Sequence, residues 1–331
     1  MRIFVYEHIT GGGLLDQVLP SGLVQEGDMM LKALLRDLGD LSDTEIVTMR
    51  DWRLPALGFQ VTVFTPRNTA EAGRILEHCT DDADAVWPIA PESEGVLERI
   101  HRMVLKHGRR LLGCHPDAVR VTASKQATAR CLTQAGIAAV PTYLPDEILH
   151  DASGKWVVKP DDGAGCSETR LFHNLPAARR WLNSNPGNFV LQPYISGNAQ
   201  SLCVLCRKGN ADLLSCNDQR VVVRDGQFQF LGTVVNAVTD GDGAFEDLAR
   251  RVAAAIPGLW GYVGIDLVQG RSQRVVMEVN PRLTTSYAGL RQALGRNPAA
   301  LVLSLMDETK PFHLPKFSPR RVEVDLGAVR A

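Results

Sequence analysis

Over its first 115 or so residues the chain switches repeatedly between short apolar runs and amphipathic segments, and that alternation admits few architectures. Residues 2–6, 45–49, 60–64, 83–88 and 110–113 read as strands. Between them, residues 21–38 carry Val24, Met30, Leu31, Leu34 and Leu35 at largely helical spacing, with Ser21 placed to cap the helix. Residues 69–79 and 93–107 also read as helices, the second with Val96, Leu97, Ile100 and Val104 on one face. Strands and helices taken in turn imply a mainly parallel sheet with helices on both faces, an α/β class.

The pattern then changes. Residues 123–135 read as a helix ended by Gly136, and residues 156–159 and 189–192 as strands flanking a helical stretch around 177–182. From 201 to 235 the chain is mostly β, with Arg224-Asp225-Gly226-Gln227 as a hairpin turn. Residues 245–256 and 297–306 read as helices, and a Pro-rich tail from Lys310 is expected to wrap the surface. A chain of 331 residues can hold two or three domains. We place the divisions at 1–118, 119–195 and 196–331.

Hydrophobic residues make up 45% and charged residues 22%, which is ordinary for a globular protein. The net charge is −1 with no basic cluster, so neither nucleic acid nor an anionic membrane is an indicated partner. The N-terminal segment meets Glu7 too early for a signal peptide, and no apolar run approaches the ~18 residues of a membrane span. A soluble, cytoplasmic protein is expected. The seven cysteines are odd in number and lack framework spacing, which fits reduced thiols. Cys203-Val204-Leu205-Cys206, with Cys216 beyond it, raises a zinc site. Opposite parity on a strand would turn the two cysteines to opposite faces, and no histidine is near in sequence.

The residue pattern richest in chemistry is late in the chain. Gly264-Ile265-Asp266-Leu267-Val268 and Val276-Met277-Glu278-Val279-Asn280-Pro281-Arg282 are joined by Gln269-Gly270-Arg271-Ser272, so a hairpin is predicted. Asp266 and Glu278 offer hard oxygen ligands, Asn280 a neutral one, and Arg282 a cation for an anion beside them. Mg²⁺ suits a few carboxylates whose remaining positions are filled by phosphates and waters. The plainer alternative is two strands ending in solvated polar residues.

Lys159 ends the run Trp156-Val157-Val158-Lys159-Pro160, and Gly163-Ala164-Gly165-Cys166-Ser167 follows. Small residues let backbone N–H groups approach phosphate oxygens, and the lysine adds charge. No G-x-x-x-x-G-K-[ST] is present, and Glu168 stands at the third glycine position of a dinucleotide fingerprint. Lys125 opens a predicted helix, where a cation is not naturally favoured, so it is either functional or merely exposed. The strand running through Gln192, Pro193, Tyr194 and Ile195 could hold an adenine ring against apolar side chains.

Taken in order, these features resemble the ATP-grasp superfamily of carboxylate–amine ligases, over nearly the whole chain. The resemblance implies an α/β N-terminal domain followed by two α+β subdomains that sandwich ATP. It implies that Lys125 and Lys159 contact phosphates, that the loop containing Gly163, Gly165 and Ser167 covers them, and that Gln192, Tyr194 and Ile195 form the adenine hinge. It further implies that Asp266, Glu278 and Asn280 hold two Mg²⁺ ions, for which Mn²⁺ can substitute, and that Arg282 stabilises the transferring group. Two departures stand out: Gln192 occupies a position that is often acidic, and Asn198-Ala199-Gln200-Ser201 lacks the usual ribose-binding glutamate.

The string Tyr6-Glu7-His8-Ile9-Thr10-Gly11-Gly12-Gly13, with Ala90-Pro91-Glu92-Ser93 and the run from Asn280 to Tyr287, is similar to tyramine–glutamate ligases of methanofuran and methylofuran biosynthesis. This implies small amino-acid and amine substrates, with Glu7, Gly11, Gly12, Glu92 and Ser93 at the substrate site, and it is compatible with a homodimer. Glu7 and Glu92 could bind an ammonium group or serve as loop carboxylates. Arg220 could reach a phosphate or a substrate carboxylate, or be a surface cation. An amino-acid or dipeptide ligase of another pathway is the alternative enzyme, and an inactive nucleotide-binding protein the alternative of another class.

Overall fold

The computed structural model describes residues 1–149, 151–163, 166, 168–271, 273–307, 309, 314–315, 317 and 320–326. Five parallel strands form the first sheet, in the order β3-β2-β1-β4-β5. They are β1 (Arg2–Glu7), β2 (Glu45–Met49), β3 (Thr62–Phe64), β4 (Ala85–Ile89) and β5 (Arg110–Leu111). Parallel neighbours need crossovers, and α1 (Ser21–Gly39), α2 (Thr69–Asp82) and α3 (Val96–Lys106) supply three of them. Along β1, Ile3 and Val5 pack with Leu31 and Leu34 of α1, whereas Phe4 and Tyr6 pack with Leu97 of α3. Both faces are covered, which is why the strand is apolar throughout.

Local details depart from the sequence reading. Ser21 is the first residue of α1 rather than its cap; Pro20 holds the cap position, and no side chain bonds there. Residues 93–107 divide into a 3₁₀ turn at Ser93–Gly95 and α3, because Glu94 and Gly95 have φ of 55° and 67°. The expected helix at 123–135 is α5 (Lys125–Gln134), and a further helix that the sequence reading did not mark, α4 (Pro116–Ala123), precedes it. They part at extended Ser124, whose hydroxyl accepts from the Ala127 amide at 3.0 Å and so starts α5 at Lys125.

A nine-stranded sheet organises the rest, in the order β13-β12-β9-β10-β11-β7-β6-β8 with one further strand, β14, on β11. Its strands are β6 (Trp156–Pro160), β7 (Arg170–Phe172), β8 (Phe189–Pro193), β9 (Asn198–Arg207), β10 (Asn210–Arg224), β11 (Gln227–Val238), β12 (Gly261–Gln269), β13 (Arg274–Asn280) and β14 (Val322–Asp325). Helix α6 (Leu175–Ser184) covers one face of β6 and β8, where Trp156, Val158 and Leu191 meet Leu175, Ala178 and Leu182. Period-two alternation then leaves Val157, Lys159 and Gln192 for the other face. The β10–β11 hairpin turns on Asp225 and Gly226, with φ of 51° and 74°.

Helix α7 (Ala244–Ala255) packs on one side of the long strands, and α8 (Tyr287–Leu294) and α9 (Pro298–Ser304) on the other. The tail does more than wrap the surface: Val322 and Val324 are buried as β14 pairs antiparallel with β11. Cys203 and Cys206 fall into opposite cores, and all seven cysteines are free. Among the described residues no helix is long and apolar enough to cross a membrane.

Candidate active site

In the β12–β13 hairpin Asp266 lies directly opposite Glu278, and Gly264 opposite Asn280, so the three oxygen-bearing side chains share one face. The register slips immediately beyond, where Leu267 pairs with Val276 and Met277 bulges. Such bulges redirect side chains. Asn280 donates from Nδ2 to Asp266 Oδ2 at 3.1 Å, and Gln219 of β10 donates from Nε2 to Oδ1 at 2.8 Å. Burial, then the Glu278 charge, push the Asp266 carboxyl up to about 7, and the two amide donors work in the opposite direction. Facing carboxylates on neighbouring strands repel. A fold that retains both is suited to cations. Among the described residues no group of three or more His, Cys, Asp or Glu could hold a metal, so a cation here would need Asn280 and ligands from a bound molecule.

Two lysines converge on this pair. The Lys125 ammonium stands 3.5 Å from Glu278 Oε1 and donates to the carbonyls of Gly163 (2.6 Å) and Asp161 (3.2 Å). The Asp161 side chain accepts from the Gln126 amide at 2.9 Å, which places a carboxylate at the start of α5 and offsets the unfavourable lysine. Lys159 is buried, and that burial, with Lys125 beside it, lowers its pKa to about 8. Both lysines line a cavity of about 850 Å³ together with Asp266 and Glu278.

The remaining walls are mainly apolar, from Val157, Ile195, Phe228, Leu267 and Met277. Gln192 lines the same cavity: its Nε2 donates to Thr142 Oγ1 at 2.9 Å, while Oε1 is buried with no hydrogen-bond partner among the described residues. An unpaired acceptor in an apolar slot fits the amino group of a flat heterocycle. Tyr194 rests against Phe228, ring centroids 6.4 Å apart. Gly163 lines the cavity, whereas Gly165 and Ser167 lie outside the described residues.

A second cavity, about 670 Å³, shares Asp266, Glu278 and Gln219 with the first and adds Asn280, Arg282 and Thr285. A third, about 450 Å³, shares Arg282 and Glu26 with the second and lies beneath the ends of β1 and β4. The three cavities therefore run in series. Arg282 donates from Nε and Nη2 to Glu92 Oε2 at 3.1 and 2.9 Å, joining the hairpin end to the first sheet.

Other predicted residues take different roles. Glu7 lines the third cavity, but its carboxylate accepts from the Ile9 amide (3.2 Å) and from the amide and hydroxyl of Thr10 (both 2.6 Å). Gly11 donates its amide to Glu7 O at 2.8 Å, and Gly12 adopts φ 99°, so both shape the loop. Ser93 donates from Oγ to Asp162 O at 3.0 Å, tying the first sheet to the glycine loop. Arg220 is not brought to the carboxylates. Its guanidinium pairs with Asp325 of β14, and the residue that reaches Asp266 is its neighbour Gln219. Gln219 and Glu26 carry no motif. Glu26 does interrupt the stripe of Leu23 and Met30 on α1, and that is the signal that could have found it.

The electrostatics give a stability prediction for the metal-free, nucleotide-free protein. Asp266 has a raised folded pKa, so the folded state binds more protons than the unfolded chain between about pH 4 and 7, and its stabilising share is lost as pH rises through that window. Asp266→Asn should flatten the fall in thermal midpoint over this range, a contribution on the order of 4 kcal/mol. A variant with the wild-type pH slope would show that Asp266 titrates normally.

A family model described as an ATP-grasp domain matches residues 122–286, and one described as a pre ATP-grasp 3 domain matches residues 44–119. The chain belongs to the ATP-grasp family. Among its relatives is a tyramine–L-glutamate ligase of Methanocaldococcus fervens, 26% identical over 295 residues, covering 87% of this chain and 89% of the relative. The namesake of Methanocaldococcus jannaschii is 24% identical, covering 87% and 84%. A putative ATP-grasp superfamily protein from Archaeoglobus fulgidus superposes with a TM-score of 0.73 at 23% identity, over 92% of this chain and 88% of that one. The L-amino acid ligase from Bacillus licheniformis gives 0.65 at 16% identity, over 91% and 73%. This ATP-grasp chain is an ATP-dependent ligase.

Proposed function

We propose that the enzyme activates the carboxylate of glutamate with ATP as an acyl phosphate and joins it to tyramine or a similar amine. The observation that carries this reading is the series of three cavities, linked first by Asp266 and Glu278 and then by Arg282 and Glu26. ATP would occupy the first, with adenine against Ile195, Leu267 and Met277 and its amino group donating to Gln192 Oε1. Lys125 and Lys159 would hold the phosphates. Their burial strengthens each contact, because little water competes. Glutamate would sit in the second cavity, its carboxylate between Arg282 and the γ-phosphate.

Asp266, Glu278 and Asn280 fit two Mg²⁺ ions, with Mn²⁺ able to replace them. Bound there, the metal would neutralise charge on the phosphoryl oxygens. The chain's own work is positioning: phosphoryl transfer asks for little covalent help, and holding two reactants in line removes much of the entropic barrier. The hydroxyls of Thr285 and Ser201 line the second cavity and can hold the glutamate end away from the reaction.

The test uses ATP, Mg²⁺, tyramine and glutamate labelled with ¹⁸O in its carboxylates. The expected result is ADP, the amide, and one labelled oxygen in the released phosphate. Unlabelled phosphate would exclude the acyl phosphate. Amide formation only with other amines or amino acids would move the enzyme to a different ligase pathway, and nucleotide binding without turnover would reject catalysis.

A further inference from the structure

Three carboxylates approach the third cavity or its arginine, and two of them are occupied. Glu7 accepts from Ile9 and Thr10. Glu92 is paired with Arg282 and does not line the cavity. Glu26 of α1 lines both this cavity and the second, and its carboxylate has no hydrogen-bond partner among the described residues. The wall around it is mainly apolar, from Ile9, Leu23, Met30, Ile89, Ala90 and Pro91, with Glu7 and Arg282 as its other charged members. One unpaired carboxylate at the junction of a mainly apolar chamber and a polar one, beside Glu7 and Arg282 that are already engaged, suits a ligand with a cationic end and an apolar body. Glutamate, ionised at both ends, does not suit such a chamber, because each buried charge would need a partner.

Resting on the ligase reading above, we propose that Glu26 binds the ammonium group of the acceptor amine, with the third cavity holding the amine's apolar body. Burial raises the Glu26 pKa, with Arg282 opposing, which makes it a better proton acceptor. The ammonium gives one proton to the Glu26 carboxylate. The neutral nitrogen then forms the C–N bond to the acyl carbon while the C–O bond to phosphate breaks. Phosphate leaves with that electron pair and takes the second nitrogen proton, so the amide keeps one N–H.

The residue also explains a small feature of α1. A β-carbon at Gly27 would stand 2.8 Å from the Glu7 carboxylate, so glycine lets the helix lie close against the strand ends and brings Glu26 to the junction.

Hydroxylamine separates the two readings, because it is uncharged near neutral pH, has no apolar body and traps acyl phosphates as hydroxamates. Wild-type enzyme without hydroxamate would mean the acyl-phosphate reading has failed. With hydroxamate present, Glu26→Gln should raise KM for tyramine about tenfold to a hundredfold, as expected for a lost charged hydrogen bond, while hydroxamate continues to form. Leu23→Trp, at a partly exposed wall position, should likewise raise KM for tyramine and leave methylamine little affected. Unchanged tyramine KM in either folded variant, with hydroxamate formed, would overturn the assignment of this cavity.

Discussion

Glu278→Ala is expected to lower the rate of ADP formation by about a thousandfold, at the upper end of what a single electrostatic contact contributes to catalysis. The reason is geometric. Glu278 is the carboxylate opposite Asp266 and also the partner of Lys125, so on the proposed reading its removal would unbalance the metal ligands and a phosphate-binding cation together. Stability should change far less. Losing the Lys125 contact is offset by relief of the repulsion with Asp266, and Lys125 keeps its bonds to Asp161 and Gly163. A thermal midpoint for the metal-free variant within about 1 kcal/mol of wild type would separate lost chemistry from unfolding. A wild-type rate of ADP release, measured by a coupled assay at saturating ATP and Mg²⁺, would remove Glu278 from the metal site.

Arg282→Ala should lower both activity and stability, and a second substitution separates the two. The Arg282–Glu92 pair is largely buried, with side-chain exposures of 13% and 6%, and Glu92 Oε1 has no other hydrogen-bond partner among the described residues. Removing the arginine strands a buried carboxylate, at a cost of about 3 kcal/mol or more. Adding Glu92→Gln makes the stranded group neutral and should recover at least half of the lost midpoint. ADP formation should stay about a hundredfold to a thousandfold down in the double variant, because in the proposed mechanism the missing cation is the one that would face the transferring phosphoryl group. If the double variant regained activity, Arg282 would be acting only by holding the first sheet against the hairpin.

The parallel sheet was legible in the sequence because strands covered on both faces must be apolar throughout, and helices between them must carry an apolar stripe. The acidic β12–β13 hairpin was legible for a similar reason. Its members are twelve residues apart across a turn, and local pairing puts Asp266 opposite Glu278. Where one residue's backbone decides the outcome, the pattern said little: Ser124 separates α5 from a preceding helix, α4, that was not read from the sequence, and Glu94 with Gly95 interrupts the helix read over 93–107. The strand β14 was missed because four residues in a Pro-rich tail carry almost no periodic signal, and only pairing with β11 makes them a strand.

The sequence by itself determined which side chains bear charge at strand and helix ends, since that follows from periods of 2 and 3.6 read along a local stretch. It did not determine which of those charges meet. Lys125 and Glu278 are 3.5 Å apart although 153 positions separate them in sequence, Gln219 rather than Arg220 reaches Asp266, and Glu26 faces two cavities from a helix with no motif. Those placements depend on tertiary packing, α5 against β13 and α1 against α8 and α9. They are long-range contacts, and no local window of sequence contains them.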